Sequence, residues 1–368
     1  MKARIIALYL PQYHPIPEND KYWGKGFTEW TNVTKAKPLF PGHYQPKLPA
    51  DLGFYDLRLP EAREAQARMA QEAGIEGFMY WHYWFGGGKM VLERPFEEVL
   101  SSGKPDYPFC LGWANHSWSN KTWTKNKTFA SDTMIFEQTY PGDDDYIAHF
   151  NYCLPAFKDK RYITVDGCPV FGVLLPERIP QVDKFLSLWR RMAKDAGLKG
   201  IHFVAFRMVR TAYTVEKLRE LGFDAINNGN YNMWYGECQC RKSQLIKRAL
   251  SFLSDKLNLP TQCYRYADIV KWLCDDYDYD EDVYPTILPG YDRTPRSGKK
   301  AQVYYGSTPE IFERHVRNVM ERVDGKPDDR KIVILKSWNE WGEGNYMEPD
   351  DRYGDAYLKA LKTVLESQ

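Results

Sequence analysis

Three acidic residues stand close together near the end of the chain, in the segment SWNEWGEGNYMEP (337–349). Glu340 and Glu343 lie three residues apart, Glu348 follows them, and the segment comes directly after the apolar run 331–335. The two glycines let the chain turn there, so both carboxylates can converge on one group of substrate atoms. A carboxyl near a leaving oxygen and a carboxylate near the reacting face of a sugar are the minimum equipment for glycoside cleavage. We predict Glu340 and Glu343 as this pair; the alternative is that they only bind loop amides.

Aromatic residues beside polar ones favour a carbohydrate as the ligand. Twelve Trp, 26 Tyr and 18 Phe make up 15% of the chain. The C–H face of a pyranose packs on an aromatic ring while its hydroxyls need hydrogen-bond partners. We therefore expect an oligo- or polysaccharide partner. Fifty Lys plus Arg against 49 Asp plus Glu give a net charge of +1, which gives no reason to expect nucleic acid. No apolar run is long enough for membrane insertion.

Short apolar runs typical of strands alternate with helical patterns along the whole chain. We predict strands at 4–10, 77–84, 108–115, 169–175, 201–206, 223–227, 283–290 and 331–338. Helices are predicted at 61–74, near 91–102, at 143–157, 180–196, 214–221, near 264–276, at 308–323 and 353–367.

Eight strand-then-helix units predict an α/β protein with a closed (β/α)8 barrel and enlarged loops. An open, doubly wound sheet is the alternative, but no G-x-G-x-x-G follows the first strand. No low-complexity linker or fixed repeat marks a boundary, so residues 1–368 are predicted to form one catalytic barrel.

In such a barrel the active site lies at the carboxyl ends of the strands, and polar and aromatic residues recur there. A tryptophan at a strand end also packs in the core, a histidine in an aromatic strand can be a core residue, and Asp292 and Arg296 can pair with each other. Beside the catalytic pair we predict these substrate-binding residues: His14, Trp23, Glu29, Trp30, His82, Tyr83, Trp84, Trp113, Asn115, His116, Arg207, Asn228, Tyr231, Asp292, Arg296, Trp338, Asn339, Trp341 and Glu348.

The seven cysteines are irregularly spaced. The closest pair, Cys238 and Cys240, forms C-x-C, which is not the spacing of a zinc ribbon or a redox motif. A zinc site with Cys263 and Cys274 is an alternative, and free thiols in a reduced compartment are the favoured interpretation. The N-terminus lacks the pattern of a secretion signal, so we expect a cytoplasmic protein. The sequence does not indicate an oligomeric state.

Several motifs together resemble the WbsX-like proteins, relatives of glycoside hydrolase family 99 that are often found in bacterial surface-polysaccharide (O-antigen, lipopolysaccharide) loci. The likeness rests on WGKGFTEW, GWANHSW, PGYDRTPR and SWNEWGEGNYMEPD, and it spans nearly the whole chain. The resemblance implies a (β/α)8 barrel that acts as a retaining endo-α-mannosidase or endomannanase, with no metal and no other cofactor.

The resemblance also implies roles for the two acids. The family motif E-W-x-E-G falls on Glu340 and Glu343, so Glu340 would be the base that deprotonates the 2-hydroxyl of the sugar, allowing a 1,2-anhydro intermediate. Glu343 would be the general acid and then the base at the departing oxygen. Family 99 has His where this chain has Gly342, and WbsX-like chains often have an acid where this chain has His116. A glycosyltransferase or transglycosylase of polysaccharide assembly and a non-catalytic carbohydrate-binding protein remain alternatives.

Overall fold

The computed structural model describes residues 2–119, 134–207, 213–229 and 262–368. Its centre is a sheet of eight parallel strands that closes on itself. The strands are β1 (Arg4–Tyr9), β2 (Gly77–Trp84), β3 (Phe109–Trp113), β4 (Cys168–Val173), β5 (His202–Arg207), β6 (Ala225–Asn228), β7 (Val283–Ile287) and β8 (Ile332–Leu335).

The barrel closes because the first strand, β1, pairs with both β2 and the last strand, β8. Ile6 is in register with Gly77 of β2 on one side, and Ile5 is in register with Val333 of β8 on the other. Each remaining strand pairs with its neighbours in sequence. The predicted (β/α)8 barrel and its eight strands are therefore confirmed, with ends that differ by up to three residues.

Helices follow the strands in most of the predicted places. They are α1 (Pro17–Trp23), α2 (Glu29–Val33), α3 (Pro60–Glu72), α4 (Arg94–Ser102), α5 (Asp143–Phe157), α6 (Val182–Asp195), α7 (Val215–Glu220), α8 (Tyr266–Ile269), α9 (Thr294–Ser297), α10 (Pro309–Val323) and α11 (Ala356–Glu366).

The helix predicted near 264–276 is much shorter in the structure. Its first residues belong to a strand, Gln262–Arg265, which pairs in parallel with Gln302–Tyr305. That second strand also pairs with Tyr291–Asp292. This small three-stranded sheet covers the loops after β7, and only Tyr266–Ile269 is helical.

Side chains alternate between the two faces of β2, and this alternation decides which of them can reach the barrel interior. Trp81 contacts Phe206 of β5, with ring centroids 5.4 Å apart. His82 and Trp84 contact His149 of α5 instead, at 2.9 Å between ring nitrogens for His82 and 4.7 Å between centroids for Trp84. The aromatic strand therefore serves two layers, the barrel interior and the helix packing.

No helix in the described ranges is long and apolar enough to cross a membrane. Five cysteines fall in those ranges, and all five are free thiols. Cys238 and Cys240 lie outside the described residues, so the zinc alternative stays a prediction.

Candidate functional site

A cavity of about 620 Å³ opens at the carboxyl ends of the strands. Every one of the eight strands, or the loop that follows it, contributes to its wall. Apolar and polar residues alternate around it, and the contributions from β1 to β8 include Leu8, Tyr83, His116, Leu174, Phe206, Asn227, Thr286, Lys336, Glu340 and Glu343.

Arg296 is the centre of the polar side of this cavity. Its guanidinium group is 7% exposed and donates from Nη1 to Oε1 of Glu340 at 3.1 Å and to Oε1 of Glu343 at 2.8 Å. The two Oε1 atoms are therefore at most 5.9 Å apart, the sum of these two distances. The Nε atom donates to Glu29 Oε1 at 2.9 Å. One arginine thus holds three carboxylates together.

Two further cations surround the predicted catalytic pair. Lys336 Nζ lies 3.6 Å from Oε2 of Glu340 and 3.6 Å from Oε2 of Glu343. Arg293 Nε lies 3.4 Å from Glu343 Oε1. Burial would raise the pKa of Glu343, but Lys336, Arg296 and Arg293 together outweigh it and lower that pKa to about 2. Glu343 is therefore ionised at neutral pH in this arrangement.

The Glu29 carboxylate contacts Arg296 from behind the cavity wall. It is the first residue of α2, is fully buried, and has a raised pKa because burial outweighs its ion pair with Arg296. The space it occupies exists because residue 342 is glycine. A Cβ atom at Gly342 would lie 1.5 Å from Glu29 Oε1 and 2.9 Å from Arg296 Nε. The Glu29 carboxylate can therefore occupy its position beside Arg296 only while the turn between Glu340 and Glu343 has no side chain at residue 342.

Asp292 fixes the turn that carries Arg296. Its Oδ1 accepts hydrogen bonds from the Thr294 backbone N–H at 3.0 Å and from the Thr294 hydroxyl at 2.7 Å. Its Oδ2 lies 2.8 Å from His43 Nε2 and accepts from Gln45 at 2.7 Å. Burial would raise the pKa of Asp292, but the bond from His43 and the charge of Lys47 keep it below its ordinary value. Asp292 is thus a positioning residue of the α9 turn.

Asn339 and Glu348 fix the other turn, which carries the catalytic candidates. Asn339 exchanges two hydrogen bonds with the backbone of Leu10, at 2.8 and 3.0 Å, and so joins the ends of β8 and β1. Glu348 accepts from Trp341 Nε1 at 2.6 Å, and also from Tyr55 and Gln66. Burial raises the pKa of Glu348 to about 7 despite these donors. Neither Asn339 nor Glu348 lines the cavity.

The structure brings a minority of the predicted site residues to the cavity. Tyr83, His116, Arg296, Glu340 and Glu343 line it, and Glu29 lies directly behind Arg296. Burial lowers the pKa of His116 to about 4, and Arg178 adds to that effect, so its ring is neutral at neutral pH.

Most of the predicted tryptophans lie in the core instead. Trp84 donates to Asp145, Trp113 donates to the Trp84 carbonyl at 2.9 Å, and Trp30 donates to the Tyr55 carbonyl at 2.9 Å. Trp338 packs on Phe78, and Trp23 packs on Phe27. Trp341 stacks on Tyr346. None of these rings lines the cavity. All except Trp23 are buried.

The remaining predicted residues hold loops or lie in the core. Asn115 exchanges hydrogen bonds with the backbone of Leu175, and Arg207 donates to Asn228 at 3.0 Å. His14 is buried, with a pKa lowered by burial. Tyr231 lies outside the described residues.

Sequence reasoning missed several residues that line the cavity. Lys336 directly precedes the SWNEWGEGNYMEPD motif and Arg293 lies inside PGYDRTPR, but neither was predicted as a site residue. Trp81 was predicted only as part of its strand. Trp118, the last residue of the GWANHSW motif, was not predicted to bind substrate, and it lines the cavity. A signal was available in the position of Lys336, which follows β8 directly.

One group of described residues could hold a metal ion, and it is not in the cavity. The ligand atoms of His82, His149 and Cys153 all lie within 4.8 Å of one another. All three residues are buried between the barrel and α5, and burial lowers the pKa of His82 to about 3. The hydrogen bond between the two imidazoles is sufficient to explain their contact, and no step proposed below uses a metal.

Gly342→Ala is expected to lower the free energy of unfolding by about 1–3 kcal/mol, because the new Cβ must displace the Glu29 carboxylate. In a Glu29→Ala background the same change should cost at least about 1 kcal/mol less, since the Glu29 carboxylate is gone and only the contact with Arg296 remains. Urea unfolding of the four chains measures this coupling. Gly325→Ala, whose Cβ would meet no atom within 4 Å, is the control. Equal costs in both backgrounds would contradict the steric dependence.

Two solved structures share the fold of this chain over almost its whole length. One is the GH99 endo-alpha-mannosidase from Bacteroides thetaiotaomicron, with a TM-score of 0.58, 13% identity, and coverage of 99% of this chain and 96% of that chain. The other is described as a glycoside hydrolase-like protein, with a TM-score of 0.58, 18% identity, and coverage of 99% and 94%. At these identities the likeness establishes the barrel fold alone.

Two relatives found by sequence comparison share a higher identity with this chain than these structures do. The protein described as uncharacterized protein WxcX is 34% identical over 374 aligned residues in two strains of Xanthomonas campestris pv. campestris. The alignment covers 99% of this chain and 50% of each relative, so the chain spans about half the length of the curated relatives it matches. Residues 5–361 match the family model described as Glycosyltransferase WbsX, and the chain therefore belongs to this family.

Proposed function

We propose that this barrel is a glycoside hydrolase that cleaves a saccharide with Glu340 and Glu343. The observation that carries the proposal is the position of the two carboxylates. Both are bound to one guanidinium nitrogen at the wall of an open cavity formed by all eight strands. Two acids at such a distance from each other, in a cavity lined by Tyr83 and Trp118, match the needs of glycoside cleavage.

The separation of the pair supports retention of configuration. Inverting enzymes keep their two carboxyl groups roughly 6.5–9.5 Å apart so that a water molecule fits between them. The Oε1 atoms of Glu340 and Glu343 are at most 5.9 Å apart. We therefore propose a retaining reaction on α-mannoside-like or related linkages, with endo action. Glu340 is the base at the 2-hydroxyl, and Glu343 is the acid and then the base at the departing oxygen.

Glu343 can act as the acid only if substrate binding raises its pKa. A carboxyl group with a pKa of about 2 is deprotonated at neutral pH, so it has no proton to donate. Glu343 can act as an acid only if bound saccharide separates it from Lys336 or Arg293, or screens their charges. Ground-state contacts between these cations and sugar oxygens would do this. The proposed mechanism therefore includes a rise in the pKa of Glu343 on substrate binding.

The family description names a glycosyltransferase, and this supports a second candidate, transfer between saccharides in surface-polysaccharide synthesis. One experiment separates the two functions. The purified chain is incubated with a panel of bacterial and fungal polysaccharides in water, and new reducing ends are counted. Hydrolysis needs only glycan and water, whereas transfer needs an added donor or acceptor. Binding without turnover under both conditions would leave a carbohydrate-binding role.

Glu340→Gln and Glu343→Gln are each expected to lower kcat by at least about three orders of magnitude on a glycan identified in that panel. Glutamine keeps the shape and an oxygen acceptor for Arg296, so the melting temperature should change by only a few degrees. Glu64→Gln, at an exposed position on α3, is the matched control. Retention of more than about a tenth of the rate by either variant would remove that residue from the catalytic pair.

Lys336→Met removes a charge 3.6 Å from both carboxylates and should raise the pKa of Glu343. An acid is active while protonated, so the pH above which kcat falls should move upward by about one unit or more. The pH profile of kcat measures the shift, because kcat reports the enzyme–substrate complex in which the acid must be protonated. Lys336→Arg should leave the profile in place. A basic limb that does not move would contradict the acid role of Glu343.

Trp118→Ala is expected to raise KM by about tenfold because Trp118 lines the cavity. It should lower the melting temperature less than truncation of an enclosed ring, because Trp118 is half-buried although it packs on Tyr83, Phe85 and Phe136. Trp113→Ala should do the opposite. Its ring is enclosed in the core, so truncation should lower stability by about 3–5 kcal/mol and leave KM unchanged in the folded fraction. KM and thermal unfolding are measured for both variants. An unchanged KM for Trp118→Ala would place the sugar platform elsewhere.

A further inference from the structure

The cavity carries far more positive charge than the chain as a whole. The full sequence has a net charge of +1. Among the described residues, five cationic side chains and two carboxylates line the cavity, and their formal charges sum to +3. The cations are Arg178, Arg293, Arg296, Lys300 and Lys336. A cleft lined mainly by one sign of charge concentrates ions of the other sign.

Part of this charge is balanced inside the wall. Arg293, Arg296 and Lys336 all lie within 4 Å of the predicted catalytic carboxylates. Glu29, which pairs with Arg296 from behind the wall, brings this inner cluster to three cations and three carboxylates. The inner cluster is therefore neutral overall. This balance leaves two of the five cations over.

Arg178 and Lys300 are the two cations without such a balance. Both are exposed at the cavity, and neither forms an ion pair within 4 Å with any residue in the described ranges. Arg178 ends the turn after β4, and Lys300 lies beyond α9 in the connection after β7. Glu177, the neighbour of Arg178 in the chain, does not line the cavity. The two cations thus approach the same opening from strands on different sides of the barrel.

We infer that the saccharide bound here carries an anionic group, a carboxylate or a phosphate, and that Arg178 and Lys300 bind it. This inference rests on the proposed function for its choice of a saccharide. An arginine offers a planar fork of donors that matches a carboxylate or a phosphate, and a lysine adds a point charge. A neutral glycan would leave both charges without a partner in the complex. The neutral ring of His116, beside Arg178, can exchange hydrogen bonds with sugar hydroxyls without adding charge.

The test compares three polysaccharides as probes: polygalacturonate for the carboxylate, a phosphomannan for the phosphate, and a neutral mannan. Binding is measured by calorimetry at low and high salt with the Glu343→Asp chain, which keeps the formal charge of the cavity and displaces the carboxylate to slow turnover. We expect an acidic probe to bind about tenfold tighter than the mannan at low salt, with the difference falling at high salt. Preference for polygalacturonate, for phosphomannan or for both identifies the anionic group.

A matched pair of double variants assigns the preference to these two residues. Arg178→Ala with Lys300→Ala should abolish it. Arg191→Ala with Lys194→Ala removes the same charges from the exposed side of α6 and should keep it. Equal binding of acidic and neutral probes, or a preference that survives loss of Arg178 and Lys300, overturns the inference. Absence of reducing ends with a preserved acidic preference would instead defeat the hydrolase proposal and leave this inference standing.

Discussion

The sharing of one buried guanidinium group among three carboxylates is the interaction on which the candidate site depends. Taking charges out of water is costly, and it is tolerated only when the charges are paired and hydrogen-bonded in good geometry. Arg296 is suited to this because its donors are fixed in one plane and its charge does not titrate. Without it, Glu29, Glu340 and Glu343 would repel one another in a poorly solvated space. Three separate parts of the chain, α2, α9 and the turn after β8, meet at this group.

Around this centre lies a second set of polar contacts that are themselves buried. Asp292 holds the turn of Arg296, Asn339 joins the two ends of the barrel, and Glu348 receives three donors below the turn of the catalytic candidates. None of these three acts on the cavity directly. Their common effect is to reduce the freedom of the charged side chains, which matters because a small shift of a catalytic group has a large effect on rate. The precision of the site thus comes from residues that do not line it.

The sequence was sufficient to predict the fold and the closeness of Glu340 and Glu343 at the end of β8. It was insufficient to predict the other residues of the cavity wall. Strand order follows from apolar runs that recur between helical patterns, and these signals are local. Which face of a strand points inward is not local. In β2, Trp81 and Tyr83 reach the cavity while His82 and Trp84 pack on α5, and all four are large ring residues in one continuous run. Nothing in the run itself distinguishes the two faces.

A single sequence also does not reveal which charged residues lie close together in the fold. Lys336 and Arg293 stand in the sequence as ordinary cations, and their proximity to Glu343 arises only when the turns after β7 and β8 come together. The binding of Arg296 to an acid of α2 joins the two ends of the chain. Asp292 likewise binds His43 and Gln45, which are distant from it in sequence. Contacts between residues so distant in sequence leave no trace in a single sequence, whereas the spacing of Glu340 and Glu343 does.

The missing side chain at Gly342 couples two positions at opposite ends of the chain. A Cβ atom there needs the volume that the Glu29 carboxylate fills, so a larger residue at 342 fits only if Glu29 moves or a smaller side chain replaces it. A redesign of the turn between Glu340 and Glu343 therefore has to change α2 at the same time.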